Sequence, residues 1–218
     1  MSLRINDIAP DFTAETTQGT IRFHEWIGDS WAILFSHPKD FTPVCTTELG
    51  AVAALEKDFV ARGAKVIGLS VDEVGDHSKW KQDIKDVSGY DVNYPIIGDP
   101  ELKIAKLYDM LPADAGDTCD GRTPALNAPV RTVFIIGPDK RIKLTLAYPM
   151  TTGRNFDEIV RALDSIQLTS KHKVATPANW KQGGDIIIGG TVSNEEADKI
   201  FPGYKIIKPY LRTAAQPK

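Results

Sequence analysis

Two cysteines occur among 218 residues, and one of them, Cys45, sits where nucleophilic chemistry is expected. It closes the run Phe35-Ser36-His37-Pro38-Lys39-Asp40-Phe41-Thr42-Pro43-Val44-Cys45. Thr42 is a good helix N-cap and Pro43 the favoured first helical residue, so Cys45 belongs to the first turn of a helix. Unpaired backbone N–H groups and the positive end of the helix dipole collect there. That field favours a thiolate over a thiol, whose free form titrates near ~8.5. The plainer reading is a small hydrophobe filling a core gap, the commoner fate of a free cysteine. The capping signal weighs against it, because it puts the sulfur at a polar helix end. Position 48 is Glu, so there is no Cys-x-x-Cys and a dithiol reductase is disfavoured. His37 lies upstream and would suit a Cys–His protease, but the chain shows no orienting Asn context. A satisfied polar side chain at a strand end is the more ordinary role for His37.

The flanking elements must hold that turn. Trp31 to Phe35 is a short continuous apolar run and reads as a buried strand. Downstream, Leu49, Val52, Leu55 and Phe59 recur at helical spacing, with Gly63 as a stop. Residues Asp11 to Phe23 read as a hairpin around Thr17-Gln18-Gly19-Thr20, and His24 to Ser30 as a turn. Lys65 to Val71 has central-strand character. A helix from about Asp76 carries Trp80, Ile84 and Val87 on one face. Pro95-Ile96-Ile97 is a brief extended piece, and Glu101 to Leu107 a short helix. Leu111 to Pro129 is a long polar loop. Thr132 to Ile136 and Arg141 to Leu146 form a hairpin, and Asn155 to Leu168 an amphipathic helix. The order predicts an α/β fold, a mixed central sheet flanked by helices, over residues 1–169. Residues 170–218 read as a small C-terminal extension, with a strand at Ile186 to Ile188 and a helix from Ser193 to Ile200, too small to be trusted with a core of its own.

Whole-chain properties bound the function. Lys plus Arg number 26 and Asp plus Glu 29, a formal charge of −3, which offers no general attraction to nucleic acid or anionic membrane. No stretch approaches the ~20 apolar residues of a membrane span. The first residues lack the apolar core of a secretory signal. Two cysteines make no disulfide scaffold, so a cytoplasmic location is expected.

Pro38-x-x-x-Thr42-x-x-Cys45 matches the peroxidatic signature of the peroxiredoxins. With Thr152 to Glu158 and Val174 to Trp180, the chain resembles the one-cysteine class with a long C-terminal extension. The resemblance implies a thioredoxin-like fold, a homodimer or larger homo-oligomer that uses the extension, and thiol-dependent reduction of hydrogen peroxide and organic hydroperoxides. It implies no cofactor and no metal, and an external thiol such as glutathione, or a thiol protein, as reductant. It also makes Arg131 the active-site arginine, with Glu48 orienting it and Arg154 in support.

The chemistry asked of these residues is specific. A thiolate attacking a peroxide needs a cation, for which a guanidinium is suited. It needs the peroxide held in line and donors for the leaving oxygen, where Thr42 is a candidate. Pro38 can shield the sulfur without offering a competing N–H. His37 is a candidate hydrogen-bond partner near Cys45. Attack leaves a sulfenic acid at Cys45. Cys119, between acidic residues, matches no resolving cysteine and reads as an incidental thiol. The main alternative is a peroxide sensor or chaperone without turnover. A lipid hydrolase at Ser30, His24 and Asp139 is disfavoured: Ser30 precedes its strand, whereas a nucleophile elbow follows one.

Overall fold

The computed structural model describes residues 3–115 and 128–217. It divides into two compact units, Met1–Arg154 and Asn155–Lys218. The first begins with a hairpin of β1 (Thr13–Thr16) and β2 (Gly19–Arg22), then α1 (Phe23–Ile27). There follow β3 (Trp31–Ser36), α2 (Pro43–Ala54), α3 (Glu56–Ala61), β4 (Ala64–Ser70), α4 (Val74–Ser88), β5 (Ile96–Gly98), α5 (Lys103–Leu107), β6 (Arg131–Ile136) and β7 (Ile142–Tyr148). Their seven strands lie in the order β2-β1-β5-β4-β3-β6-β7. β3, β4 and β5 run parallel, whereas β6 lies antiparallel to β3 and β7 to β6. β6 is buried at every position, as a strand covered on both faces must be. Phe23, Ile27, Leu34, Ile67, Leu69, Tyr108 and Phe134 meet in one core cluster.

Three local expectations change. The single helix after Cys45 breaks at Leu55, whose N–H is shared between the carbonyls of Ala51 and Val52, both at 3.2 Å. The residues after it restart as α3. The turn after the first hairpin is instead the short helix α1. Val87, expected on the buried face of α4, is 65% exposed. That face is His77, Trp80 and Ile84, and its next turn presents Ser88 to α2. The two helices touch so closely that a Cβ on Gly50 would stand 2.5 Å from the Ser88 Cβ.

The second unit opens with α6 (Phe156–Lys171), capped by Asn155, whose side-chain oxygen accepts from the N–H groups of Asp157 and Glu158. β8 (Val174–Ala175), β9 (Ile186–Ile188), α7 (Asn194–Ile200), β10 (Lys205–Lys208) and β11 (Leu211–Ala214) follow, with the strands ordered β10-β11-β9-β8. Leu168, Val174, Trp180, Ile186, Ile188, Val192 and Phe201 form a core cluster within it. The boundary therefore falls at 154/155 rather than at 169/170. α6 joins the tail because Leu168 enters that cluster, Ser165 hydrogen-bonds Thr176 at 2.7 Å, and Arg161 donates to the Trp180 carbonyl at 3.1 Å. No helix among the described residues is long and apolar enough to cross a membrane.

Candidate active site

β3 delivers the chain to the loop 37–42, and α2 starts at Pro43 with Thr42 extended before it. Cys45 is the third residue of α2 and its sulfur is wholly buried, 0% exposed. Burial alone would favour the inert reading. What separates this sulfur from a core thiol is Arg131, at the start of β6, whose Nη1 donates to Sγ at 3.4 Å. The same Nη1 donates to Glu48 Oε2 at 2.6 Å, and Arg131 Nε donates to the Met150 carbonyl at 2.8 Å. Glu48 lies three residues after Cys45, one turn along α2. Its carboxylate also accepts from Arg154: Nε and the backbone N–H at Oε1, at 2.9 and 2.8 Å, and Nη2 at Oε2, at 2.7 Å. Arg154 Nη1 donates to the Thr132 carbonyl at 3.0 Å, and its guanidinium lies over the Phe35 ring. Burial would raise the Glu48 carboxyl, but the Arg154 hydrogen bonds and the two positive charges hold it below its ordinary range. The site is thus a buried chain of sulfur, guanidinium, carboxylate and guanidinium.

Comparisons with known proteins give the family. The AhpC/TSA family covers residues 5–145, and the C-terminal domain of 1-Cys peroxiredoxin covers residues 165–202. The 1-Cys peroxiredoxin of Dictyostelium discoideum is 49% identical over 216 residues, 99% of this chain and 86% of that protein. Peroxiredoxin-6 of Gallus gallus is 49% identical over 226 residues, 99% of each. This chain is a 1-Cys peroxiredoxin of the AhpC/TSA family. A crystal structure of a cysteine-to-serine mutant of peroxiredoxin 6 from Arenicola marina superposes with a TM-score of 0.92, at 47% identity and with all of both chains covered. The yeast mitochondrial 1-Cys peroxiredoxin superposes with a TM-score of 0.87, at 49% identity over 98% of this chain and 99% of that one. That structure was described as the basis of a thiol-resolving mechanism via the glutathione/thioredoxin systems. The thioredoxin-like mixed α/β fold expected from the sequence is the fold of the peroxiredoxin, and its class is thiol-dependent peroxidase.

Of the residues singled out in the sequence, Cys45, Arg131, Glu48 and Arg154 come together through contacts 83 to 106 positions apart in sequence. Pro38 is buried in the loop before α2. Thr42 departs from expectation. It occupies the N-cap, but its hydroxyl makes no capping bond and donates to the Lys39 carbonyl at 2.8 Å. His37 faces Asp40 instead, Nε2 to Oδ1 at 2.8 Å. Asp40 Oδ2 in turn meets His77 Nδ1 at 2.5 Å. Asp40 and His77 were not singled out. The available signals were the three-residue spacing of His37 and Asp40, and the place of His77 one turn before Trp80 on the buried face of α4. Cys119 lies outside the described residues, as does most of the long loop around it. Among the residues weighed for lipid hydrolysis, His24 Nε2 meets the Ala9 carbonyl at 2.7 Å, and Asp139 accepts from Lys143 and the Arg141 N–H. Both side chains are thus engaged in local bonds, and Ser30 precedes β3 rather than following a strand.

Proposed function

We propose that this peroxiredoxin reduces hydrogen peroxide and small organic hydroperoxides at Cys45 and is returned to the thiol by an external thiol such as glutathione or a thiol protein. The observation that carries this reading is Arg131 Nη1 at 3.4 Å from a buried sulfur, to which it donates. Two guanidiniums and one carboxylate leave an excess positive charge in the interior, and a thiolate balances it. The thiolate attacks the terminal peroxide oxygen. An S–O bond forms, the O–O bond breaks, and the departing oxygen takes a proton to leave as water or alcohol. Arg131 supplies a donor where negative charge develops on that oxygen. A turn of the Thr42 hydroxyl away from Lys39 would add a second donor, and Pro38 keeps water from the sulfur.

One reductant thiol then attacks the sulfenic sulfur and expels water, leaving a mixed disulfide that a second thiol reduces. The acidic neighbours of Cys119 disfavour it as an internal partner. Intact-mass measurement after one equivalent of peroxide tests this scheme. The expected result is one oxygen on the Cys45 peptide, exchanged for a glutathionyl adduct when glutathione is added. A Cys45–Cys119 disulfide under the same conditions would overturn the external-thiol assignment. A single oxidation that glutathione does not reverse would instead favour the sensor reading.

The second unit supports a homodimer or larger homo-oligomer. Strand β10 is exposed along its whole length, and Ile206, Ile207 and the 85% exposed Tyr210 lie on or beside it. Sedimentation velocity at micromolar protein is expected to give a dimer or larger species; a monomer would remove this assignment. A cytoplasmic location fits the reaction, because a reducing compartment supplies the thiol that each turnover consumes.

A further inference from the structure

The peroxidase scheme leaves a second buried polar cluster unused. His37, Asp40 and His77 are each fully or almost fully buried. Their hydrogen bonds determine where the protons sit. His77 Nε2 lies 3.0 Å from the Ile97 carbonyl, an acceptor only, so Nε2 carries a proton. His77 Nδ1 and Asp40 Oδ2, at 2.5 Å, hold one proton between them. Asp40 Oδ1 then accepts from His37 Nε2–H at 2.8 Å. The carboxylate itself is fixed, since the Asp40 N–H donates to Asp72 Oδ2 at 2.9 Å, an oxygen that also accepts from Ser70 Oγ at 2.7 Å.

One atom is left over. His37 Nδ1 has no hydrogen-bond partner, alone among the buried side-chain polar atoms described. Burial pushes the His37 imidazole toward its neutral form, against the opposing pull of Asp40. A neutral ring with its proton on Nε2 presents Nδ1 as a bare lone pair. The other tautomer would set a lone pair against the Asp40 carboxylate. The ligand atoms of the three side chains lie within 4.8 Å of one another. Yet their 2.5 and 2.8 Å separations are those of shared protons, because tetrahedral metal ligands at ~2.0 Å stand about 3.3 Å apart.

The cluster also grips the cysteine turn. Asp40 lies five residues before Cys45, and Thr46 directly follows it. Helix α4 binds both: His77 holds Asp40, and one turn on, Trp80 Nε1 donates to Thr46 Oγ1 at 3.3 Å. The Trp80 ring lies 5.5 Å from His37.

We propose that Asp40 and His77 are positioning residues for the chemistry at Cys45: they hold His37 as its Nε2–H tautomer, so that a bare, buried Nδ1 remains as the acceptor for an O–H group in the cysteine loop. The inference deepens the peroxidase reading and rests on it. The O–H is that of the peroxide before attack or of the sulfenic acid after it.

The test pairs a tautomer measurement with kinetics. The chain has four histidines, so 15N-labelled histidine spectra can be assigned residue by residue. In the reduced wild type, His37 is expected to be protonated at Nε2 and bare at Nδ1. Asp40→Ala is expected to mix the two tautomers and lower kcat/KM for hydrogen peroxide about 10- to 100-fold, as when the partner that orients a functional imidazole is lost. Asp40→Asn, whose amide accepts from His37 and donates to His77, is expected to restore both the tautomer and most of the rate. His77→Phe, read by the same two measurements, serves if Asp40→Ala does not fold, with a loss of the same sign. Protonation at Nδ1 in the wild type overturns the proposal, and so does an unchanged kcat/KM in a folded variant whose tautomer has mixed. A wild type that consumes no peroxide but shows the Nε2–H tautomer refutes the peroxidase reading instead.

Discussion

Cys45→Ser is expected to bring peroxide consumption down to the uncatalysed background, a loss on the order of 10³-fold or more. Serine keeps the shape of the first turn and still accepts from Arg131, but its hydroxyl does not ionise at neutral pH. The substitution therefore separates the nucleophile from the rest of the site: the guanidinium, the Glu48 carboxylate and the fold are all retained. It also leaves Cys119 in place. Stopped-flow measurement of hydrogen peroxide with glutathione supplied decides between the two thiols. A variant as fast as the wild type would show that the sulfur beneath Arg131 is not the one oxidised.

Glu48→Ala is the second large effect, and it acts on stability as well as rate. Glu48 is the only carboxylate bonded to both Arg131 and Arg154 among the described residues. Removing it leaves two buried guanidiniums facing each other, and breaking such a pair costs about 3–5 kcal/mol. Arg131 also loses the partner that aims its Nη1, so the rate falls with the stability. Acid should reproduce part of this loss. Both Glu48 and Asp40 are held below their ordinary ranges in the fold. For Asp40, burial pushes upward, but the bonds from His37 and His77 prevail and bring it to about 2. A carboxyl lowered by folding contributes stability above its unfolded value near 4, and that contribution is lost as the pH falls through the folded value. For Asp40 alone this is roughly 2 kcal/mol, lost between about pH 4 and pH 2. Urea midpoints at pH 7 and pH 3 check both parts: the wild type should fall steeply between them and Glu48→Ala less. Equal midpoints for the two proteins at pH 7 would refute the assignment.

Much of this molecule was legible in its sequence because the signals were local. Thr42-Pro43 marks a helix start, and the apolar runs at Trp31, Lys65 and Thr132 mark the strands β3, β4 and β6. Periodicity puts Trp80 and Ile84 on the buried face of α4 but errs at Val87, and it does not show that a histidine on that face meets a carboxylate 37 positions earlier. The same limit applies to the break at Leu55, where the apolar spacing continues across a turn whose hydrogen bonds tighten. The hairpin of β10 and β11 was missed because Lys205-Ile206-Ile207-Lys208 is wholly exposed, so no alternation of apolar and polar residues marks it. Thr42 was read from its residue type, which favours capping. Its hydroxyl found a closer acceptor in the Lys39 carbonyl.

The seam at Gly50 bears on where the sulfur stands. A side chain there would have to drive α2 about 1 Å away from Ser88 to regain ordinary van der Waals spacing. Five residues of helix separate Gly50 from Cys45, about 140° around the axis, so a shove on one flank is delivered to the other. An ångström of misalignment at a reacting atom can cost about a hundredfold in rate. The smallest residue in the chain, with nothing of its own to donate, accept or ionise, thus works as the spacer that sets the depth at which the nucleophile is seated.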